Sequence, residues 1–209
     1  MKMNAVPKPT LGRLPMYLNY LKSLPGDGNE HISATTIAKE LELGEVQVRK
    51  DLGLVTGTGR PKTGHVRKEL IQRLEAYLSG EARVPAVLAG AGKLGRALLE
   101  YRGFEEYGLE IIAAFDCDET KTGETESGKK IFHNDRLQDI CQNNQVRIGV
   151  ITVPVHAAQN VCDMMVACGI RAIWNFAPCA LKTPDGVIVQ QENLALSLAH
   201  IKKQAELLK

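Results

Sequence analysis

Gly90, Gly92 and Gly95 form a GxGxxG motif that could hold the phosphates of a dinucleotide. The motif ends an apolar run typical of a strand and opens a segment with helical periodicity. The first glycine would make a tight turn, the second would let backbone approach a pyrophosphate, and the third would let helix and strand pack closely. A glycine turn without a nucleotide is the alternative. The predicted nucleotide-binding turn comprises Gly90, Ala91, Gly92, Lys93, Leu94 and Gly95.

An acidic residue follows the motif at the spacing that a ribose contact requires. Asp116 lies 21 residues after Gly95, at the end of the second strand-like run. Its carboxylate can accept hydrogen bonds from ribose hydroxyls, whereas a 2′-phosphate would meet its negative charge. Asp118 is close and no Arg is adjacent in the sequence, so the pattern favours NADH and NAD⁺ over their 2′-phosphorylated forms.

Two further segments end apolar runs and should border the nicotinamide half of the site. Ligands of such sheets lie at the carboxyl ends of the strands. From the segment TVPVHAAQ we predict contacts by Thr152, Val153 and Pro154, and from NFAP contacts by Phe176 and Pro178. A strand that simply ends at a proline is the alternative for the first segment.

The sequence has few side chains that could assist hydride transfer. A dehydrogenase needs a proton donor or acceptor, commonly His, or Tyr with Lys four residues on. None of the five tyrosines has that Lys, and His156 would sit at a helix N-terminus, which disfavours an imidazolium. Cys179 is a reactive thiol or, more simply, a packed one. We therefore predict no catalytic residue and no enzymatic activity.

The five cysteines include no CxxC pair, so neither a disulfide framework nor a metal site is expected. No apolar run approaches the length of about 18 residues that a membrane span needs. Prolines interrupt the first residues before a signal-like apolar core forms. We expect a cytoplasmic protein with no membrane partner.

The periodicity changes near residue 80, which predicts two domains, 1–80 and 81–209. The first should contain helices at 14–24, 34–41, 45–54 and 66–78. In the second, strand-like runs at 86–89, 110–115, 147–153 and 172–176 alternate with helices at 94–101, 135–143 and 155–168. A last helix covers about 192–208. This alternation predicts an α/β fold with a Rossmann-like, doubly wound parallel sheet.

The first domain has the pattern of a DNA-binding module. Two short helices joined by a tight turn are typical of a helix-turn-helix, with Gln47, Arg49 and Lys50 facing outward from the second helix. The glycine-rich ribbon 56–65, which carries Arg60 and Lys62, is typical of the wing of a winged-helix domain. A small helical bundle with a charged face is the alternative. The predicted DNA contacts are Gln47, Arg49, Lys50, Arg60, Lys62, Thr63, Lys8 and Arg13.

In this order the segments resemble the Rex family of redox-sensing transcriptional repressors, over nearly the whole chain. The matching segments are QVRKDL (47–52), GAGKLGRALLEYRGF (90–104), AAFD (113–116), TVP (152–154), AAQ (157–159) and GIRAIWNFAP (169–178). The resemblance implies a homodimer that binds a palindromic operator, with the C-terminal helix reaching across to the partner subunit. It also implies that NADH releases the protein from DNA while NAD⁺ permits binding, and that Tyr101 lies near the nicotinamide.

Several residues depart from the family pattern. The segment GLVTGTGRPKTGH replaces an aromatic pair and a wing close to GRRGVGY, with Leu54 and Val55 in place of the aromatics and His65 in place of the final Tyr. The family often has Arg where this chain has Asn19, and Asp where it has Asn193. The chain therefore resembles a divergent paralogue with an altered sensor, and its operator sequence is left open.

Two other functions compete with a redox-sensing repressor. A small NAD-dependent oxidoreductase would transfer hydride to a carbonyl substrate. A coenzyme A-binding regulatory module would have the same kind of sheet. However, the 3′-phosphate of coenzyme A is expected to bind Arg or Lys, whereas this chain has Asp116. A titration of NADH, NAD⁺, NADPH and coenzyme A separates these functions.

Overall fold

A computed structural model of the chain describes residues 6–28, 30–57, 59–60, 63–80 and 83–207. These residues form two compact units. One comprises the described residues up to Arg83 together with Glu106–Gly108, and the other comprises Val84–Glu105 and the chain from Leu109 onward. Within the described residues, no helix combines the length and apolar character needed to cross a membrane.

The described part of the first unit contains four helices and a two-stranded antiparallel sheet. Its elements are α1 (Lys8–Ser23), β1 (His31–Ile32), α2 (Ala34–Glu40), α3 (Glu45–Thr56), β2 (His65–Val66) and α4 (Arg67–Ser79). Helix α2 begins where Ser33 caps it, because the Ser33 hydroxyl accepts a hydrogen bond from the Thr36 amide at 3.0 Å. His31 pairs with Val66 and Ile32 with His65, which joins the two strands.

The sequence placed the start of the first helix about six residues too late. Helix α1 begins at Lys8, with a proline in its first turn and Pro15 inside it. A proline in the first turn loses no helical hydrogen bond, because the first four N–H groups of a helix have no partner within it. The segment with its two prolines was therefore compatible with a helix from Lys8 onward.

Apolar side chains from all four helices form one core in the first unit. Its buried members include Leu14, Tyr17 and Leu21 from α1, together with Ile37 of α2 and Val48 of α3. The helical spacing of these residues is what allows each helix to turn one face inward.

The second unit is a seven-stranded sheet with helices on both faces. Its strands are β3 (Val84–Ala89), β4 (Leu109–Asp116), β5 (Gly123–Glu124), β6 (Lys130–His133), β7 (Ile148–Ile151), β8 (Ala172–Asn175) and β9 (Ile188–Gln191). Its α-helices are α5 (Lys93–Glu100), α6 (Leu137–Asn143), α7 (Val155–Ala167) and α8 (Leu194–Leu207), and short 3₁₀ turns cover Arg102–Tyr107, Glu119–Lys121 and Asn134–Arg136.

The strands lie in the order β5-β6-β4-β3-β7-β8-β9, and all neighbours are parallel except β5 and β6. The order reverses between β3 and β7, which is where such sheets open a crevice for ligands. The Rossmann-like fold predicted from the alternation is confirmed. The sequence missed β6, because four residues that include Lys130 and His133 do not form a continuous apolar run.

The ends of four strands are level at one edge of the sheet. Ala89 of β3 pairs with Phe115 of β4 and with Ile151 of β7, and Ile151 pairs with Asn175 of β8. The segments that follow these strands therefore emerge side by side. They are the glycine turn, the Asp116 segment, the Thr152 segment and the Phe176 segment, which the sequence placed at one site.

Candidate functional site

The glycine turn has the close packing that its motif requires. Gly90 has φ of +103°, a value that side chains disfavour, and a Cβ there would lie 2.8 Å from the backbone of Thr152. A Cβ on Gly95 would lie 1.8 Å from the carbonyl oxygen of Gly90. By contrast, a Cβ on Gly92 would meet no atom within 4 Å. The turn is therefore packed against protein at Gly90 and Gly95 and open at Gly92.

Thr152 fastens the end of β7 to the glycine turn. Its hydroxyl lies 2.8 Å from the carbonyl oxygen of Gly90 and 3.0 Å from that of Ala89, and its amide donates to Ala89 at 2.9 Å. The side chain of Thr152 thus shapes the turn. Val153 is half-buried and Pro154, which precedes α7, is exposed beside it.

Asp116 lies at the same edge and is only 7% exposed. One carboxylate oxygen accepts a hydrogen bond from the Ala91 amide at 2.8 Å, and the other accepts from the Asp118 amide at 3.0 Å. The Lys121 ammonium lies 3.2 Å from the carboxylate. Burial raises the pKa of Asp116, but these hydrogen bonds and Lys121 outweigh burial and hold it below its ordinary value. Asp116 is therefore an anion that ties the glycine turn, through the Ala91 amide, to the end of β4.

The segment after β8 is held by Asn175, a fully buried side chain that sequence analysis did not single out. Its amide nitrogen donates to the carbonyl oxygens of Ala177 and Cys179 at 3.2 and 3.0 Å, and its carboxamide oxygen accepts from the Ala177 amide at 3.0 Å. These bonds fold the NFAP segment back over the strand end. Phe176 is half-buried and Pro178 is exposed.

Within one chain, Tyr101 lies away from the strand ends that carry the glycine turn and Asp116. It follows α5, whose first residue, Lys93, adjoins the glycine turn. A helix of eight residues is about 12 Å long, so Tyr101 lies at the far end from that turn. Its ring is 60% exposed and packs edge-on against Phe104, with 4.9 Å between ring centroids.

Two further candidates for chemistry were His156 and Cys179. His156 is exposed in the first turn of α7, and Cys179 is half-buried after the NFAP segment. In the parts of the chain that the structure covers, no group of three or more His, Cys, Asp or Glu side chains could hold a metal ion. Lys93 and Leu94 are exposed at the start of α5, beside the open face of Gly92.

In the first unit, α2 and α3 form the predicted pair of helices. Ile37, Val48 and Leu52 are buried, while Arg49 and Lys50 are exposed on α3. Arg49 forms an ion pair with Glu45, one turn earlier on the same helix. Two of the three side chains expected to face outward do so.

Gln47 is the exception, because it lies half-buried against Arg13 of α1. With its amide oriented so that the oxygen faces the guanidinium, Gln47 accepts hydrogen bonds from Arg13 at 2.9 Å. Arg13 in turn binds the buried carboxylate of Asp51, with Nε at 2.7 Å. Gln47 and Arg13, both predicted as DNA contacts, therefore take part in a side-chain network between α1 and α3.

The ribbon after α3 is a tight hairpin. Arg60 and Gly64 form a pair of backbone hydrogen bonds of 2.8 and 2.9 Å, and Arg60 and Thr63 are exposed. Gly64 has φ of +75°, and a Cβ there would lie 2.3 Å from the Ile32 carbonyl oxygen. Lys62 and the side chain of Lys8, also predicted as DNA contacts, lie outside the described residues.

The histidine that ends the hairpin is packed beneath it. A Cβ on Gly59 would lie 2.7 Å from Nε2 of His65. Burial and the neighbouring Arg73 lower the pKa of His65 below 6.5. Arg73 itself donates to the Thr56 carbonyl oxygen at 2.6 Å, which ties α4 to the end of α3.

The two asparagines that depart from the family pattern have different surroundings. Asn19 is exposed on α1. Asn193 precedes α8, and its side-chain oxygen accepts a hydrogen bond from the Leu196 amide at 2.9 Å. Asn193 is therefore a helix cap, a role that Asp would fill equally well.

Two family models match the chain. The model described as "Putative DNA-binding protein N-terminus" matches residues 5–53, and the model described as "CoA binding domain" matches residues 83–179. Their order agrees with the two units of the structure.

Curated relatives match over most of the chain. A "Redox-sensing transcriptional repressor Rex" from Bacteroides fragilis is 43% identical, covering 93% of this chain and 88% of the relative. A protein with the same description from Treponema denticola is 42% identical and covers 91% of both chains.

Solved structures of a Rex-family repressor called RSP have the same fold. The complex of RSP with β-NAD⁺ and operator DNA has a TM-score of 0.86 and 30% identity, covering 97% of this chain and 93% of RSP. The complex of RSP with β-NADH has a TM-score of 0.83 and 29% identity, covering 99% of this chain and all of RSP.

Proposed function

Since the chain belongs to the Rex family of redox-sensing transcriptional repressors, we propose that it is a DNA-binding repressor that senses the ratio of NADH to NAD⁺. The main observation behind this proposal is that β3, β4 and β7 end at the same edge of the sheet. There the glycine turn lies beside Asp116 and Thr152. Residues 81–209 bind the nucleotide and residues 1–80 bind the operator.

The pyrophosphate binds where the backbone is open. Gly92 leaves room for the phosphates at the start of α5, and the N–H groups of its first turn favour their charge. The contacts on this side come from Gly90, Ala91, Gly92, Lys93, Leu94 and Gly95. Asp116 accepts hydrogen bonds from the ribose, while Thr152, Val153, Pro154, Phe176 and Pro178 border the nicotinamide.

Operator DNA binds the exposed cations of the first unit. Arg49 and Lys50 project from α3, and Arg60 projects from the hairpin. In a helix-turn-helix the second helix enters the major groove, and a wing contacts phosphates or the minor groove. Gln47 and Arg13 act mainly by fixing α3 against α1.

The active form is a homodimer. Leu194, Leu198 and Ile201 recur at helical spacing on α8 and are about 60% exposed or more, which is costly for a helix left alone in water. Tyr101 lies about 12 Å from the glycine turn of its own chain. A second copy covers α8 and receives Tyr101 near its nicotinamide.

NADH releases the protein from its operator, and NAD⁺ permits binding. No hydride transfer is part of this function, and a repressor acts in the cytoplasm, where the bacterial chromosome lies. The nucleotide is a signal, because it shifts the equilibrium between two dimer arrangements by its differential affinity for them.

The test is a titration of the purified protein with NADH, NAD⁺, NADPH and coenzyme A, followed by titration of each ligand into a preformed complex with a selected operator. We expect NADH to bind tightly and to release the DNA. Tight binding of coenzyme A alone would replace the proposal with a coenzyme A-binding regulator. Oxidation of NADH by any of a panel of small carbonyl compounds would replace it with an oxidoreductase.

A further inference from the structure

A row of aromatic side chains leads away from the NFAP segment. Trp174 lies in β8, and Phe176 follows two residues later, so both side chains lie on the same face of the sheet. The ring centroids of Trp174 and Phe176 are 4.5 Å apart, and Trp174 meets the ring of Phe104 edge-on at 5.8 Å. All three rings are partly buried and pack against one core cluster. Phe176, Trp174 and Phe104 form what we call the aromatic row, with Trp174 at its centre.

The indole of Trp174 is held by Glu192. Its Nε1 donates a hydrogen bond to Oε1 of Glu192 at 3.0 Å. The backbone of Glu192, which lies between β9 and α8, is fixed separately, because its amide donates to the Asn175 carbonyl oxygen at 2.8 Å. The Glu192 carboxylate therefore reaches the indole from a fixed position and sets its orientation between the two phenyl rings.

Phe104 lies in a 3₁₀ turn that passes from the second unit into the first. The turn covers Arg102–Tyr107. Phe104 belongs to the second unit, whereas Glu106–Gly108 belong to the first. A displacement of Phe104 is therefore passed along a few residues of chain to the unit proposed to bind the operator.

The end of this turn is anchored within the first unit. Tyr107 packs against the core of that unit. Gly108 is buried, and a Cβ there would lie 1.9 Å from the Ser79 carbonyl oxygen at the end of α4. The Lys22 ammonium of α1 lies 3.6 Å from the Glu106 carboxylate. The turn is thus packed at one end against the DNA-binding unit and at the other against Trp174.

We propose that Trp174 is a positioning residue of the redox switch, which passes occupancy of the nicotinamide side of the site through Phe104 to the DNA-binding unit, with Glu192 holding the indole in place. The inference rests on the proposed function, because it names how the same site is coupled to DNA. A nicotinamide bound against Phe176 displaces that ring. Close-packed interiors transmit such displacements, and an indole fixed by a hydrogen bond and by rings on both sides moves as one body.

The quantity to measure is the coupling factor, which is the operator dissociation constant with saturating NADH divided by the constant without it. Fluorescence anisotropy of a labelled operator gives both constants for the full chain, and calorimetry gives the NADH affinity of the free protein. Glu192→Leu removes the acceptor of the indole N–H and keeps the backbone bond to Asn175. We expect the coupling factor to fall about fivefold while NADH affinity changes by less than about twofold. Glu192→Gln keeps an oxygen acceptor and should restore the coupling factor.

Two further variants test the row from its other members. Trp174→Phe removes the N–H donor of the same hydrogen bond, so it should lower the coupling factor as Glu192→Leu does, and the double variant should add nothing. Phe104→Leu breaks the ring contact on the other side and should have a similar effect. The matched control is Phe132→Leu, which breaks the ring pair with Phe115 of 6.0 Å elsewhere in the sheet and should leave the coupling factor unchanged.

Circular dichroism checks the fold of every variant, and each folded variant decides by itself. If a folded Glu192→Leu, Trp174→Phe or Phe104→Leu keeps the natural coupling factor, the role of Trp174 is overturned and the proposed function stands. The same conclusion follows if Phe132→Leu lowers the coupling factor equally, because the aromatic row then has only a structural role. If the natural protein binds no NADH, or its coupling factor is one, the proposed function fails and the inference fails with it.

Discussion

Arg13 and Asp51 form a partly buried ion pair that joins α1 to α3. Nε and Nη2 of Arg13 lie 2.7 and 3.0 Å from the two carboxylate oxygens, and the hydroxyls of Thr10 and Tyr17 each donate to the same carboxylate at 2.8 Å. Burial, together with the bond to Asp51, raises the pKa of Tyr17 to about 12, so Tyr17 stays a donor. Arg49 and Lys50, which precede Asp51 on α3, are proposed to contact DNA. The Arg13–Asp51 ion pair therefore fixes the position of the helix that carries them.

Removing the charge of Asp51 should destabilise the first unit. Asp51→Asn leaves Arg13, which is 19% exposed, without its counter-ion, so we expect the free energy of unfolding to fall by about 3 kcal/mol. Denaturant titration measures the change. The control, Glu45→Gln, breaks the exposed pair with Arg49 and should cost less than about 1 kcal/mol. Equal losses in the two variants would show that the buried pair has no special role.

The same carboxylate predicts acid sensitivity. Burial raises the pKa of Asp51, but hydrogen bonds from Arg13, Tyr17 and Thr10 outweigh it and lower the pKa below 3.8. The unfolded chain then binds the proton first, so the stabilisation is complete above about pH 4 and is lost as the pH falls through the folded pKa. Unfolding measured from pH 5 to pH 2 should show a smaller decline in Asp51→Asn than in the natural protein.

His65 predicts a second pH dependence at milder pH. Its folded pKa is lowered by burial and by Arg73, so the unfolded chain gains a proton before the folded chain does. Stability should be full above about pH 6.5 and should decrease as the pH falls below it. His65→Tyr, which carries the family residue, and His65→Gln should both remove this part of the pH dependence. If the slopes of the three proteins coincide between pH 7.5 and pH 5.5, His65 is not responsible.

The glycine turn allows ligand binding to be separated from folding. Gly92→Val adds a branched side chain in the open space proposed for the pyrophosphate, so NADH affinity should fall by at least about tenfold with little change in stability. Gly95→Ala places a Cβ 1.8 Å from the Gly90 carbonyl oxygen, so it should destabilise the fold itself. Thermal unfolding and NADH titration of both variants make the comparison. If Gly92→Val is stable and keeps normal NADH affinity, the nucleotide does not bind at this turn.

The sequence predicted the site best at positions where the backbone geometry admits only one type of residue. Gly90 is required by its positive φ and by close packing, Gly95 by close packing alone, and the GxGxxG spacing indicated both positions. Sequence reasoning was weakest where a contact depends on the path of a turn or on the packing of another element. Lys121 pairs with Asp116 through a turn, and Gln47 meets Arg13 from another helix, so no local pattern reports either contact. The strand β6 was missed for the related reason that its neighbour β4, and not its own composition, makes it a strand.

The exposed cations of α3 predict salt-dependent binding to DNA. Arg49→Ala and Lys50→Ala should each weaken a specific operator complex by about 1–3 kcal/mol where the side chain contacts a base. A lost phosphate contact should instead reduce the slope of log K against log salt by about one. Binding isotherms at several salt concentrations distinguish the two kinds of contact. Affinity that survives both substitutions would show that another surface binds the operator.

The two asparagines predict a weak contrast between NADH and NAD⁺. In the family an Arg and an Asp often stand at these positions, and we expect such a charged pair to favour one dimer arrangement. The side-chain amides of Asn19 and Asn193 are neutral and could hydrogen-bond only without the charge-assisted part, and couplings of about 1–3 kcal/mol are typical of such switches. NAD⁺ should therefore have a measurable effect on DNA binding in this protein.

Each nucleotide is titrated into a preformed protein–DNA complex, for the natural chain and for the double variant Asn19→Arg with Asn193→Asp. Asn193→Asp alone keeps the cap of α8, since a carboxylate also accepts the Leu196 amide bond, so it separates the charge from the fold of the helix. If NADH alone releases the DNA, and the double variant behaves identically, the two asparagines do not set the sensor.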